Sequence, residues 1–134
     1  MLPRTLNGNR FIIVATCYMT KYVITAAVEN VTAKDIADFL LHRIILNFSC
    51  IETLITDNGV QFTSDLIKEL NRLMKTNHNF TTPYNPTTAG CVERCNQQII
   101  QLIRCYVENI VHDWDNVLPF ISFIYNTSFH SSTK

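Results

Sequence analysis

Ile55-Thr56-Asp57-Asn58-Gly59-Val60-Gln61-Phe62-Thr63-Ser64 is the stretch on which the reading of this chain turns. The apolar, β-branched run from Ile51 to Thr56 makes a short strand that ends at Asp57. Asn58-Gly59 supplies the turn, since glycine tolerates positive φ and asparagine tolerates it better than most residues. Ser64 then caps a helix whose apolar stripe is Leu66, Ile67, Leu70, Leu73 and Met74. A carboxylate therefore stands at the carboxyl end of a strand, where ligands collect in open α/β sheets. An Asp opening a turn before Asn-Gly is also a common structural event, so a second phrase is needed to give it chemistry.

That phrase is Pro83-Tyr84-Asn85-Pro86-Thr87-Thr88-Ala89-Gly90-Cys91-Val92-Glu93-Arg94, and it leaves 35 residues between Asp57 and Glu93. Pro83 and Pro86 keep residues 83–89 extended or looped, and a long helix follows from about Gly90 to Ile110. Glu93 then falls in the first turn, where the helix dipole favours an acid. Its face continues through Gln97, Ile100 and Arg104, while Val92, Cys95, Ile99, Ile103 and Tyr106 form the opposite, buried stripe. Two carboxylates brought together repel unless a cation sits between them, and hard Mg²⁺ is the usual occupant where the substrate is a phosphate. With 11 acids in the chain the spacing alone carries little weight; the phrases around it carry more.

Working outward, residues 10–19 and 22–29 are β-branched and aromatic runs divided by Thr20-Lys21, an antiparallel hairpin. Thr32 caps a helix, with Asp35 three residues on, that runs to about Phe48. Its stretch from Phe39 to Leu46 is apolar on most sides, which predicts burial by more than one neighbour. His78–Thr82 is a brief strand, expected parallel to 51–56. A last helix runs from Trp114 to about Asn126, with Pro119 tolerable only near its first turn. Trp114 reads as a packing residue.

Length and composition set bounds. At 134 residues the chain is read as one domain, 1–134, able to bury a core. Apolar residues make up 47% and charged ones 16%, which is globular rather than disordered. Net charge is zero, with five Lys/Arg against three acids in residues 1–50 and six against eight in 51–134. No basic tail is hidden by averaging, so nucleic-acid contact has to be local or metal-mediated. The five cysteines (17, 50, 91, 95 and 105) show no CxxC spacing and read as reduced thiols; Cys91 and Cys95, four apart on a helix without a nearby His, read as packing groups. Asn-x-Ser/Thr sequons at Asn30, Asn47, Asn79 and Asn126 matter only in a secreted protein. The run Phe11–Met19 lacks a small-residue cleavage site and reads as a strand, and no apolar stretch is long enough for a membrane span.

Several phrases, in order, resemble the catalytic core of retroviral-type integrases, most closely those of gypsy-type LTR retrotransposons. They are Leu2-Pro3-Arg4-Thr5, Gly8-Asn9-Arg10-Phe11-Ile12-Ile13-Val14, Thr20-Lys21-Tyr22, the two phrases quoted above, Asp113-Trp114-Asp115, Leu118-Pro119 and Tyr125-Asn126-Thr127-Ser128-Phe129-His130-Ser131-Ser132-Thr133. The resemblance implies an α/β, RNase H-like layered fold with a mixed sheet, and the order β-β-α-β-α-β-α-α matches that fold without its first, central strand. It implies Asp57 and Glu93 as catalytic metal ligands for Mg²⁺ or Mn²⁺. It places Asn58, Asn85, Arg94 and Gln97 against nucleic acid, and makes DNA the partner, with a possible homodimer, no membrane, and an intracellular, nuclear site of action. The family's chemistry uses three carboxylates; the first lies upstream of the Leu-Pro-x-Thr phrase, and Cys17 stands where many relatives carry a non-catalytic Asp. Gln97 and Ile100 occupy positions that active relatives usually make basic, and Thr87, Ala89 and Cys91 replace the usual polar residues of the proline loop.

Three readings follow. The leading one is a fragment of an integrase core, inactive as this isolated chain, whose intact family performs metal-dependent polynucleotidyl transfer for DNA integration. The second is a host-retained or decayed binding or scaffold module of the same fold. The third is a different RNase H-like nuclease that finds its missing carboxylate elsewhere.

Overall fold

Phe11–Thr16 (β1) and Val23–Val28 (β2) are runs of six residues that pair antiparallel, in register from Phe11↔Val28 to Thr16↔Val23. The computed structural model describes residues 2–82, 86–107 and 112–130. The hairpin closes through Tyr22 O, which accepts from Cys17 N at 2.8 Å, and Cys17 O, which accepts from Lys21 N at 2.9 Å, with Lys21 at φ 61°. The rest is Ala33–Phe39 (α1), Thr53–Thr56 (β3), Asp65–Met74 (α2), Asn77–Phe80 (β4), Pro86–Val107 (α3) and Trp114–Thr127 (α4). This is the expected mixed α/β order. The chain forms two compact units, Met1–Asn30 with Gly90–Lys134, and Val31–Ala89.

In the first unit, β1 and β2 pack with α3 and α4 around Val23, Cys95, Ile99, Ile103, Trp114, Leu118, Ile121 and Tyr125. The α3 stripe is shorter than expected: Val92 and Tyr106 are exposed at its two ends, because the stripe meets the core only over its middle turns. Trp114 is 1% exposed, and its indole N–H donates to Pro3 O at 2.7 Å, so packing and a backbone tether share that residue. Pro119 is the sixth residue of α4, one turn deeper than expected; its missing N–H removes the bond to the Asp115 carbonyl.

In the second unit, Thr32 caps α1 through a capping box: its Oγ1 accepts from Asp35 N at 3.2 Å, and Asp35 Oδ2 accepts from Thr32 N at 2.9 Å. The helix then widens into a π-helical segment, Leu40–Ile45, and Asn47 Nδ2 caps its end by donating to His42 O at 2.6 Å. The predicted burial of Phe39–Leu46 is corrected here. Phe39 and Leu40 are buried, but Leu46 and Phe48 are exposed, since the widened turn shifts the residues that follow it off the α-helical stripe.

β3 and β4 pair parallel, Thr53↔Asn77 through Thr56↔Phe80, as expected, although β4 begins and ends slightly earlier than 78–82. Ser64 caps α2, its Oγ accepting from Ile67 N at 3.4 Å. Ile67 is 0% exposed, whereas Leu66 (48%) and Leu73 (60%) face outward and Asn71 is buried in their place. Among the described residues no helix is long and apolar enough to cross a membrane.

Candidate metal and nucleic-acid site

Asp57 follows directly on β3, whose last ladder bond runs from Thr81 N to Thr56 O at 2.7 Å. Its carboxylate turns back on its own loop, Oδ1 accepting from Gly59 N at 2.8 Å. Gly59 is needed for a reason other than the one expected. Neither Asn58 nor Gly59 has positive φ; Gly8 is the glycine that does, at φ 90°. A Cβ at Gly59 would instead stand 2.9 Å from Asp57 Oδ1 and 2.7 Å from Gln61 Nε2, so glycine makes room for the carboxylate. The loop is then drawn into α2 by Phe62 N and Thr63 N, which donate to Gly59 O at 2.9 and 3.2 Å. Asp57 and Asn58 are both exposed, and among the described residues nothing donates to Asp57 Oδ2.

Glu93 is exposed on α3, and so are Arg94, Gln97, Ile100 and Arg104. The expected exposed face is therefore present, with the neutral Gln97 and Ile100 between Glu93 and Arg104. The helix begins earlier than predicted, at Pro86, which stands at its first position, where a missing N–H removes no bond. Residues 86–89 are thus helical rather than looped, and Glu93 lies about two turns inside, beyond the reach of the terminal dipole. Asn85, with Pro83 and Tyr84, lies outside the described residues.

Asp57 belongs to the second unit and Glu93 to the first. Among the described residues no three His, Cys, Asp or Glu side chains gather where a metal could sit. The oxygen chemistry nevertheless suits a hard divalent cation: each site offers an exposed carboxylate. One residue passed over in the sequence lies a turn further along α3. Asn96, three residues after Glu93 on α3, has a buried Oδ1 that meets no hydrogen-bond partner among the described residues. Its signal was slight, an Asn one turn beyond a candidate acid.

Cys95 behaves as a packing group, buried in the core with its thiol accepting from Thr16 Oγ1 at 3.4 Å, while Cys91 is half-buried. All five cysteines are free thiols. Burial and a hydrogen bond with Cys95 push the Tyr125 hydroxyl well above its usual range.

Sequence reasoning also passed over Asp115. Its Oδ2 accepts from Asn9 Nδ2 at 2.7 Å, Thr5 Oγ1 at 2.8 Å and Asn7 Nδ2 at 3.1 Å. Partial burial works to raise its pKa, but these donors and Asn116 N together hold it below the ordinary carboxylate value. Leu2-Pro3-Arg4-Thr5 and Asp113-Trp114-Asp115, separate phrases in sequence, are therefore one structural clamp.

No family model matches the chain. It is 30% identical over 127 residues to the retrovirus-related Pol polyprotein from transposon 412 of Drosophila melanogaster, a match that covers 95% of this chain and 10% of that protein. It is 28% identical over 137 residues to the transposon Tf2-3 polyprotein of Schizosaccharomyces pombe, covering 99% of this chain and 10% of the polyprotein. The chain thus spans about a tenth of the length of these curated relatives. The crystal structure of the catalytic core domain of BIV integrase superposes with a TM-score of 0.78 at 23% identity, over 90% of this chain and 77% of that one.

Proposed function

We infer, from a chain homologous to retrotransposon Pol polyproteins and folded as an integrase catalytic core, that residues 1–134 are part of a core that acts in DNA integration. The observation that carries this reading is the place of Asp57. It follows the last residue of β3, which pairs parallel with β4, with its loop feeding a capped helix, within a fold shared with an integrase core.

Asp57 and Glu93 would hold a share of a Mg²⁺ or Mn²⁺ site, and the bound ion would supply Lewis-acid stabilisation of phosphate oxygens. The chain's own residues would do the rest: Gly59 N holds the Asp57 carboxylate, and Asn58, Asn85, Arg94 and Gln97 are the proposed nucleic-acid contacts. DNA is the proposed partner, a homodimer the proposed assembly and the nucleus the proposed place of action.

We propose further that this chain alone performs no strand transfer. Among the described residues no three His, Cys, Asp or Glu side chains gather to hold a metal, and the exposed α3 face is neutral at Gln97 and Ile100, where phosphates need cations. The test is a strand-transfer assay with Mn²⁺ on the chain, with Glu93→Gln as blank, beside DNA binding measured across salt. The expected result is no Glu93-dependent product. Gln97→Lys with Ile100→Lys should strengthen DNA binding and steepen its salt dependence by about one unit per added cation. Glu93-dependent product from the unmodified chain would overturn the inactive reading.

A neutral, binding-only core is the second reading, and the exposure of Ile100 on the Glu93 face favours it. Unchanged Mn²⁺ affinity in Asp57→Asn and Glu93→Gln would select it.

A further inference from the structure

One residue before Asp57, side chains from three elements join in a directed chain. Asn71 of α2, 7% exposed, lies with Nδ2 3.1 Å from His78 Nδ1. His78, on β4, lies with Nε2 2.8 Å from Thr56 Oγ1 of β3. Thr56 Oγ1 donates in turn to the Asp57 carbonyl oxygen at 2.9 Å.

The direction of this chain is fixed from both ends. A threonine hydroxyl has one proton. It goes to Asp57 O, so Thr56 must accept from His78, and Nε2 must carry the hydrogen. A neutral imidazole with Nε2–H has a bare Nδ1, which is what the donating amide of Asn71 requires. Burial lowers the pKa of His78, with no charged side chain contributing, which keeps the ring neutral. Phe80, on the same strand, packs against the ring at 4.3 Å between centroids and holds its plane. Asp57 is thereby held twice, its carbonyl by Thr56 and its carboxylate by Gly59.

We propose that His78 is a positioning residue for Asp57: as the Nε2–H tautomer it keeps the Thr56 hydroxyl on the Asp57 carbonyl and so fixes the backbone from which the Asp57 carboxylate holds a divalent cation. The role of Asp57 rests on the metal reading above, and the measurements separate the two. Glutamine places an amide N–H where the ring's Nε2–H stands, whereas asparagine reaches only as far as Nδ1. His78→Gln should therefore keep the lock and His78→Asn should lose it.

The experiment uses the whole chain and two readouts. The first is the ¹⁵N shifts of the His78 ring near neutral pH, expected to show the Nε2–H tautomer. The second is Mn²⁺ titration followed by electron paramagnetic resonance on the unmodified chain and on His78→Gln, His78→Asn, Thr56→Val and Asp57→Asn. His78→Gln should bind Mn²⁺ within about twofold of the unmodified chain, and His78→Asn and Thr56→Val should bind about five- to tenfold more weakly. Thr56→Val keeps the β-branched shape of the strand, so it still decides the matter if His78→Asn fails to fold. An Nδ1–H tautomer, or Thr56→Val binding as tightly as the unmodified chain while Asp57→Asn binds weakly, overturns the proposal and leaves the metal reading standing. Equal binding in Asp57→Asn overturns the metal reading itself.

Discussion

Asp115 shows how much one carboxylate can organise. Three side-chain donors from residues 5–9 converge on one of its oxygens, and Asn116 N donates to the other at 3.1 Å. Asparagine is nearly the same shape, yet Asp115→Asn would turn part of this acceptor into a donor facing donors. The expected cost is about 1–3 kcal/mol of stability, read by urea unfolding near neutral pH. The pH dependence has a definite sign. The folded-state pKa lies below the ordinary value, so the clamp contributes fully above the unfolded value near 4 and is lost as pH falls through the lower, folded one. Stability should therefore lose a step below about pH 4 that Asp115→Asn lacks; an identical acid profile in both proteins would remove Asp115 from the clamp. Trp114 was legible in sequence as a core residue because size and apolarity decide burial. Asp115 was not, because its donors are 106 to 110 residues away, and nothing in a local pattern marks such a partner.

At the scale of elements, strands and caps were readable and helix faces less so. β1 and β2 are legible in their β-branched runs, and Thr32 and Ser64 in their cap chemistry, whereas the parallel pairing of β3 with β4 rests on the family resemblance, since Asn77–Phe80 holds no β-branched residue. The faces failed where apolar residues outnumber the positions a single contact can bury. Leu66, Ile67, Leu70, Leu73 and Met74 span more of α2 than one neighbour covers, so the pattern could not say which leucines would be left outside. Ile67, fully buried, should cost about 2–5 kcal/mol as Ile67→Ala, whereas Leu73→Lys should change stability by no more than about 0.5 kcal/mol. The end of the same helix offers a gain. Lys75 caps it in the left-handed region, at φ 54° and ψ 36°, a conformation that costs a side-chain-bearing residue and suits glycine. Lys75→Gly should stabilise by about 0.5–1 kcal/mol, less the entropy that glycine adds to the unfolded chain. A fall in the urea midpoint would show that the Lys75 side chain makes a contribution larger than the strain. The start of α3 is the plainest misreading. In sequence Pro86 reads as a breaker, yet at the first helical position it starts the helix.

For the whole molecule, the sheets pose the unsolved problem. Each has two strands, and among the described residues no further strand pairs with either. Two-stranded sheets are marginal alone, and unpaired strand edges are templates for another chain. One pair of edge groups on β2 is taken up by α4, Asn126 Oδ1 accepting from Val23 N at 2.7 Å and Asn126 Nδ2 donating to Val23 O at 2.8 Å. Self-association is therefore expected for the purified chain, with a sedimentation or light-scattering mass that rises with concentration. Unfolding should be broad rather than a single two-state step, because the chain forms two compact units with separate sheets. A second adhesive surface competes as the cause. Phe120 and Phe123, one turn apart on α4, are both exposed, and paired aromatics of this kind can drive association without any strand exchange. Replacing them separates the two causes, since exposed positions tolerate charge with little effect on stability. Phe120→Lys with Phe123→Lys should leave association largely in place if backbone edges are responsible. A double variant that becomes monomeric, and unfolds in one sharp, concentration-independent transition, would place the adhesion on α4 and show that the sheet edges are already closed.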